Sequence, residues 1–304
     1  MFAYRELDFN RFVSAMKKSA MGSIYFADYV NEHADGCIVV EVHHNGVLGD
    51  ERAMLEAATL GTLDIVATSC APASNWVPTV SVFDLPYLFE STDAAWACID
   101  GEIGDQIADM FQGTGMTVLN WFQVGWRNCT STSPIKSVED LAGVKIRVME
   151  SSVPIAVFEA LGAIPTPMAW GEVYTALQQG TIDAQENPLS IIYNSKIQEV
   201  TPYINMTQHV MGLGMLMISD ATLELLTEED RALLFEAGEA AWQYERQYSN
   251  DLDASLLEKL AEEGATIVEV DKTPFIEATA CVYDQFRDEF GGDLIDAIKA
   301  YSEQ

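Results

Sequence analysis

Apolar runs of strand length alternate along this chain with amphipathic segments of helix length. Asp50 is placed to cap a helix, Gly61 is placed to end it, and the apolar run LDIVATS follows at 63–69. Strands that alternate with helices in this way predict a mostly parallel sheet flanked by helices. The predicted strands are 4–13, 37–42, 63–69, 116–124, 144–148 and 266–270. The predicted helices are 19–34, 51–61, 137–143, 152–162, 171–180, 227–262, 275–289 and 293–302.

The last third of the chain is mostly helical in pattern. Thr227 begins a capping-box-like TEED stretch, and the helical pattern then continues to about residue 262. A helix of that length is long enough to brace two domains. Neither an internal repeat nor a low-complexity linker interrupts the pattern. The sequence therefore predicts two α/β lobes that share crossing elements.

The negative charge of the chain excludes some classes of binding partner. Its 16 lysine and arginine residues against 47 aspartate and glutamate residues give a formal net charge of −31 over 304 residues. Nucleic acid and anionic membrane surfaces both require a basic face, so neither is an expected partner. The longest apolar run, VMGLGMLMIS at 210–219, is about half of the roughly 18 residues that span a bilayer.

Catalytic and metal-binding motifs are not found. GxSxG, HExxH and GxxxxGK[ST] do not occur, and the GLG at 212–214 lacks the rest of a dinucleotide fingerprint. His43 and His44 lie on opposite faces if they end a strand, so they are not expected to chelate a metal together. No pair of the five cysteines has CxxC spacing. The residues indicate no reaction, no metal and no cofactor.

Two arginines follow apolar strands. Arg147 lies in VKIRV, where apolar residues alternate with Lys145 and Arg147, which predicts one apolar and one polar face. Arg127 lies in GWRNCTS, beside a tryptophan. Ligands of open α/β sheets bind beyond the carboxyl ends of the strands, and a guanidinium there matches a carboxylate with two parallel hydrogen bonds. The alternative is that both arginines neutralise acidic neighbours at the surface, and the pattern leaves both interpretations open.

Two further residues are candidates with alternatives of their own. Asn187 precedes Pro188, which disfavours helix at Asn187 and leaves its amide available to donate to or accept from a ligand. The alternative is a plain helix-to-loop turn. Trp170 precedes a predicted helix, either as an aromatic wall over a ligand or as a core residue that braces the loop.

The segments VKIRVMESS, EALGAIPTPMAWGEVYTALQQGTIDAQENPL and EVTPYINMTQH resemble the solute receptors of TRAP transporters, the DctP family. GVLGDERAMLEAATLGTLDI and SVFDLPYLF resemble the N-terminal half of that family, so the resemblance extends from about residue 37 over nearly the whole remaining chain. It implies an α/β, two-lobed, periplasmic-binding-protein-like fold with a ligand cleft between the lobes and a long bracing helix. The lobes are expected at 1–124 with about 213–250, and at 125–212 with about 251–304.

The resemblance also implies a function and a site. A receptor of this family captures a small organic acid, closes over it and delivers it to a sodium-driven membrane permease, without catalysis. The family's carboxylate-binding arginine corresponds to Arg147, a second arginine to Arg127, and the asparagine of its QENP motif to Asn187. Further ligand-binding positions correspond to Phe12, Glu51, Ser69, Glu150, Trp170 and Gly214.

The ligand class is predicted from departures within the family. Phe12 and Gly214 stand where sugar-acid receptors usually present polar groups, which favours a carboxylate with a bulky apolar or aromatic tail. The alternatives are a C4-dicarboxylate or a sugar acid as ligand. Apolar residues expected to add to such a pocket are Trp76, Trp126, Met149, Met211 and Met215.

The expected partners follow from the same resemblance. They are the carboxylate ligand and the TRAP permease subunits, with no nucleic acid, and the receptor is expected to be a monomer. A rival interpretation is a ligand-sensing receptor for a membrane signalling partner. MFAYRELDF carries acids where the apolar region of a signal peptide would lie, so a periplasmic location presupposes that the signal has been removed.

Overall fold

The computed structural model describes residues 5–11, 17–35, 38–43, 46–250 and 252–302, and strands alternate with helices along them. The strands are β1 (Arg5–Arg11), β2 (Ile38–His43), β3 (Ile65–Ser69), β4 (Met116–Ser131), β5 (Lys145–Val148), β6 (Ile164–Pro167), β7 (Ala184–Pro188), β8 (Tyr203–Ser219) and β9 (Thr266–Val268). The helices are α1 (Lys17–His33), α2 (Glu51–Thr59), α3 (Cys70–Ala73), α4 (Thr92–Ile99), α5 (Glu102–Asp109), α6 (Ser152–Ala160), α7 (Trp170–Gln178), α8 (Leu189–Asn194), α9 (Asp220–Glu224), α10 (Glu228–Asn250), α11 (Leu252–Glu262), α12 (Thr273–Phe290) and α13 (Gly292–Lys299). Short 3-10 helices cover Pro78–Asp84, Val138–Leu141 and Ile197–Glu199.

The chain divides into two units, of which the first runs to Ser69 and includes Ile107–Gln123 and Leu213–Leu252. Its strands follow the order β2-β1-β3-β8, in which β1 pairs in parallel with β2 and β3 while β8 pairs antiparallel with β3. Helices α1 and α10 pack against each other, and Asp50 caps α2 by accepting from the backbone N–H of Ala53 at 2.9 Å. The β1–β3 arrangement is the predicted parallel sheet.

The second unit comprises Cys70–Gln106, Val124–Gly212 and the chain from Asp253 onward. Here β5 lies between β6 and β7 and is parallel to both, while β7 pairs antiparallel with β4. Helix α6 packs on β6 and against α12. Because β5, β6 and β7 run in parallel, their carboxyl ends meet at one edge of the sheet. This edge is the part of the second unit where a ligand site is expected.

The α/β prediction is confirmed, and most predicted elements overlap observed ones of the same type. The strand predicted at 116–124 continues to Ser131 as β4, and the helix predicted at 137–143 is a 3-10 turn at Val138–Leu141. The single helix predicted for 227–262 is described as α10 and α11, with residue 251 outside the described residues. Thr227 and Asp230 form the predicted capping box, since Asp230 N–H donates to Thr227 Oγ1 at 3.1 Å.

The observed units differ from the predicted lobes in one segment. Residues 70–106 were assigned to the first lobe, but they pack in the second unit. The 3-10 helix Pro78–Asp84 contacts α12 and α6, and Tyr283 Oη donates to the carbonyl of Pro86 at 2.7 Å. These are contacts between segments roughly 200 residues apart, which local patterns do not reveal. The bracing role predicted for the long helix stays a prediction, because α10 is counted within the first unit.

The described ranges contain neither a membrane-spanning helix nor a metal-binding cluster. No helix there combines the length and the apolar character needed to cross a bilayer. No group of three or more histidine, cysteine or acidic side chains is arranged there to hold a metal ion. Cys98, Cys129 and Cys281 are free thiols, and Cys37 lies outside the described residues.

Candidate functional site

Arg147 lies one residue before the carboxyl end of β5. Its side chain is only 4% exposed, although the alternation in VKIRV places it on the same face as the exposed Lys145. Nε and Nη2 of Arg147 both donate to the carbonyl oxygen of Met168, at 2.9 and 2.7 Å. This carbonyl orients the guanidinium.

Trp170 is the first residue of α7, two residues after that carbonyl. The guanidinium carbon of Arg147 lies 5.5 Å from the centroid of the indole ring, within cation–π range. Trp170 is half-buried, which a purely internal tryptophan would not be. The β6–α7 turn therefore supplies both the acceptor that orients Arg147 and an aromatic face beside it.

Asn187 lies near the carboxyl end of β7, beside Asn128 on β4. Its extended strand conformation agrees with the predicted effect of Pro188. The side chain is buried, and Nδ2 donates to Oε1 of Gln185 at 2.6 Å. Glu150, which follows β5, is exposed at the same end of that strand. Four predicted site residues thus follow or end parallel strands at one edge: Arg147, Glu150, Trp170 and Asn187.

Arg127 is bound by a carboxylate within the fold. On β4 it lies opposite Pro188, and its side chain is 3% exposed. Its Nε donates to one carboxylate oxygen of Glu186, and Nη2 donates to the other at 2.7 Å and to the Glu186 carbonyl at 2.8 Å. This fork is the geometry predicted for a ligand carboxylate, but here a side chain of the protein provides the acceptor. A direct contact between Arg127 and a ligand stays a prediction.

His209 completes a buried polar cluster around Glu186. Its Nε2 lies 3.2 Å from Oε2 of Glu186, and its Nδ1 lies 2.9 Å from Thr207 Oγ1. Burial alone would raise the pKa of the Glu186 carboxyl, but the charge of Arg127 and hydrogen bonds from His209 and Arg127 outweigh it and lower the pKa to about 2. Glu186 is therefore held as a carboxylate.

Glu186 and His209 were missed as a pair by the sequence reasoning. With 47 acidic residues, no single glutamate stands out, and His209 is one of four histidines. The usable signal was the polar run QEN within a short strand that ends at Pro188. Polar residues on a fully buried strand need partners, and those partners come from β4 and β8, far away along the chain.

In the first unit, Glu51, Ser69 and Gly214 lie close together. Oε1 of Glu51 accepts from the backbone N–H of Ser69 at 2.7 Å and from Thr68 Oγ1 at 3.2 Å. Ser69 ends β3 and pairs with Gly214 on β8. These three residues therefore lie at the carboxyl end of β3, and their contact with a ligand stays a prediction. Phe12, another predicted ligand-binding residue, is outside the described residues.

Gly214 is a glycine for a packing reason. A Cβ atom at this position would lie 2.4 Å from Cζ of Phe122 and 2.7 Å from the carbonyl oxygen of Thr68. The ring of Phe122 therefore covers the position where a side chain would begin. The absence of a polar group at 214 is coupled to an aromatic ring on β4, a link that the sequence alone did not indicate.

The additional apolar residues are mostly internal. Met149, Met211 and Met215 are buried, which fits the core interpretation. Trp76 and Trp126 are half-buried, and Nε1 of Trp126 donates to Thr92 Oγ1 at 3.0 Å. Among these apolar candidates, only Trp76 and Trp126 have partly exposed side chains.

Comparisons with known proteins identify the family. Residues 9–289 match the family model DctP, described as bacterial extracellular solute-binding protein, family 7. A solute-binding protein of Verminephrobacter eiseniae is 35% identical over 277 residues, covering 90% of this chain and 83% of the relative. The 2,3-diketo-L-gulonate-binding periplasmic protein YiaO of Escherichia coli is 31% identical, covering 90% of this chain and 85% of its own length.

Solved structures agree with that family. A TRAP periplasmic solute-binding protein of Polaromonas sp. JS666 bound to D-erythronate has a TM-score of 0.94 and 35% identity, and the match covers 97% of this chain and 98% of that one. One from Bordetella, with pantoate assigned to its density, has a TM-score of 0.94 and 34% identity over 97% and 98%. DctPAm of Advenella mimigardefordensis, a sugar acid binding protein in complex with galactonate, has a TM-score of 0.96 and 28% identity over 100% and 99%. The predicted periplasmic-binding-protein-like fold is thereby confirmed. The chain belongs to the DctP family of bacterial extracellular solute-binding proteins, the solute receptors of TRAP transporters.

Proposed function

We propose that this chain binds the carboxylate of a small organic acid through Arg147. Its family consists of transport receptors for such acids and not of enzymes. The observation that carries the proposal is the Arg147 guanidinium, buried at the carboxyl end of β5 and oriented by the Met168 carbonyl. Because this cation is already fixed in place, ligand binding costs little further conformational entropy. Salt that screens the acidic surface weakens the attraction of a buried charge much less.

The residues around Arg147 support a ligand with an apolar or aromatic tail. Trp170 presents part of an indole face beside the guanidinium. An aromatic 2-oxo or 2-hydroxy acid would place its carboxylate on Arg147 and its tail against Trp170. Pantoate, which the Bordetella relative is described with, is likewise a monocarboxylate with a branched apolar segment.

A sugar acid is the second candidate. D-erythronate and galactonate are bound by two of the solved relatives, and both are monocarboxylates with several hydroxyl groups. Asn187 and Glu150 would then hydrogen-bond hydroxyl groups, as side chains that accept and donate can do. In both cases Arg147 has the same role, and only the tail differs.

The receptor would deliver this acid to the membrane subunits of a TRAP transporter. Proteins of this family are extracytoplasmic receptors that work with TRAP permeases. Delivery by this chain, closure of its lobes over the ligand and a monomeric state stay predictions. A ligand-sensing role with a membrane signalling partner is the alternative to delivery.

A thermal-shift panel tests the proposed ligand class. The purified protein is unfolded, refolded and then heated with D-erythronate, galactonate, pantoate, succinate, phenylpyruvate or phenyllactate. An acid present at about 100 times its dissociation constant adds about 2.7 kcal/mol to the free energy of unfolding, which raises the melting temperature by several degrees. A shift with the aromatic acids supports the apolar tail, and a shift with the hydroxylated acids supports the second candidate. No shift with any of them contradicts the proposal.

A further inference from the structure

A left-handed residue interrupts β8 beside the buried Glu186 cluster. Gln208 has a backbone φ of 42° although it lies inside a 17-residue strand between Thr207 and His209. This conformation is rare for residues with a Cβ atom, and it persists only where the surroundings impose it. One left-handed residue inside a strand produces a bulge, which redirects the adjacent side chains.

Side chains replace the backbone pairing around this bulge. The N–H of Gln208 donates to Oδ1 of Asn128 at 3.2 Å, and the N–H of Cys129 donates to Thr207 Oγ1 at 3.2 Å. Asn205 Nδ2 donates to the carbonyl of Cys129 at 3.1 Å. Three polar side chains thus hydrogen-bond backbone groups of β4 and β8 beside the bulge.

Two further contacts hold the bulge from outside the strand pair. Lys272, immediately before α12, donates from Nζ to the side-chain oxygen of Gln208. Tyr87, itself left-handed at φ 54°, donates its N–H to the carbonyl of His209 at 2.7 Å. The residues on either side of the bulge point at the cluster: Thr207 Oγ1 contacts one imidazole nitrogen of His209, and Glu186 contacts the other.

We propose that Gln208 is a positioning residue for the acid-binding site, and that it acts through His209 and Glu186 on Arg127. Lys272 and Tyr87 hold the bulge in place. The bulge positions the imidazole of His209 against Glu186. Glu186 in turn holds the guanidinium of Arg127 at the same sheet edge as Asn187. The affinity part of this inference rests on the proposed function. The positioning of His209 does not.

Paired substitutions at Gln208 test the inference. Gln208→Gly favours the left-handed backbone, whereas Gln208→Val opposes it because its side chain is β-branched. Long-range proton–nitrogen NMR follows the imidazole nitrogens of His209. The chain has four histidines, and comparison with the His209→Gln variant identifies the signals of His209. Gln208→Val is expected to shift the His209 signals and to weaken D-erythronate binding about tenfold. Gln208→Gly keeps the backbone conformation but loses the contact with Lys272, so it is expected to change both clearly less than Gln208→Val does.

Lys196 provides a matched control in the same unit. It is also left-handed, at φ 56°, and its Nζ also binds a side chain, Glu263, at 3.0 Å. Lys196→Val should carry a similar backbone cost and leave the His209 signals and the affinity unchanged. If Gln208→Val does not fold, Lys272→Met removes the outer contact without changing the bulge residue, and a smaller shift of the same His209 signals is expected.

The outcomes separate this inference from the proposed function. Unchanged His209 signals in Gln208→Val, or in Lys272→Met where the former does not fold, overturn the positioning role. Equal effects of Gln208→Val and Lys196→Val also overturn it. If the unmodified protein binds none of the panel acids, the proposed function is contradicted, and the NMR comparison still decides whether Gln208 positions His209.

Discussion

Arg127 and Arg147 lie in the same unit and are almost equally buried, at 3% and 4% exposed, but their partners differ. The fork of Arg127 binds the carboxylate of Glu186, and this pair cancels its own charge inside the fold. The fork of Arg147 donates twice to one neutral carbonyl oxygen and lies beside an indole ring. Burial alone therefore does not identify a ligand-binding arginine, and the contacts of each guanidinium must be compared. From this comparison we expect the Arg127–Glu186 pair to contribute more to stability than Arg147 does, and Arg147 to contribute more to binding than Arg127 does.

The largest expected effect on stability is that of Arg127→Met. Removal of the guanidinium leaves the Glu186 carboxylate buried without its main counter-charge, which costs about 3–5 kcal/mol of the free energy of unfolding. Urea unfolding measures this loss. The double variant Arg127→Met with Glu186→Met is the control, and it should recover much of the stability. An Arg127→Met variant as stable as the unmodified protein would show that the pair does not act as described.

Acid unfolding tests the same pair from the side of Glu186. Its pKa is about 2 in the folded protein against an ordinary value of 4.5, so its contribution is present above about pH 4.5 and is lost as the pH falls towards 2. The difference corresponds to about 3 kcal/mol. The free energy of unfolding is measured between pH 7 and pH 2, and Glu186→Gln should flatten its fall. Glu150→Gln, which changes an exposed carboxyl group, should not flatten this fall. Identical dependences of the free energy of unfolding on pH for the two variants would contradict the assignment.

Arg147→Lys tests whether the planar fork is needed for binding. Lysine keeps the charge but cannot donate two parallel hydrogen bonds to a carboxylate. We expect the affinity for the acid identified by thermal shift to fall about 10- to 100-fold, corresponding to roughly 1.5–3 kcal/mol. Isothermal titration calorimetry gives the dissociation constant. An unchanged constant would mean that Arg147 acts as a simple point charge or does not touch the ligand.

The smallest expected effect is that of Trp170→Ala. Loss of the indole removes a partly exposed aromatic face and its cation–π contact with Arg147, a change of about 1–2 kcal/mol or roughly tenfold in affinity. Trp170→Phe should retain most of the affinity. The loss should be greater for phenylpyruvate than for D-erythronate if the tail of the ligand contacts Trp170. Equal losses for both acids would place the tail elsewhere.

The sequence predicted the positions of the site residues better than their contacts. The strand-end rule placed Arg147 at the end of β5, and Pro188 placed Asn187 in an extended segment. The alternation of VKIRV did not indicate that Arg147 is buried, because local alternation does not report which residues pack over that part of the strand. Nor did the sequence predict that Glu186 binds Arg127, since that pair depends on the register of β4 and β7, which are separated by more than 50 residues.

Local patterns also do not report contacts between distant segments, and this explains the differences between the predicted and the observed fold. Caps and turns such as those at Asp50 and Thr227 are local and were predicted correctly. The assignment of residues 70–106 depends on contacts with α6 and α12, at sequence separations that local patterns do not report. Gly214 is a similar case, because its reason is the ring of Phe122 on another strand.

Calorimetric titration of Arg147→Ala tests whether Arg147 binds the carboxylate of the ligand. The acid that stabilises the unmodified protein most strongly is titrated into both proteins, with circular dichroism as the check on folding. We expect a folded variant whose heat of binding is no longer measurable. A dissociation constant equal to that of the unmodified protein would contradict it.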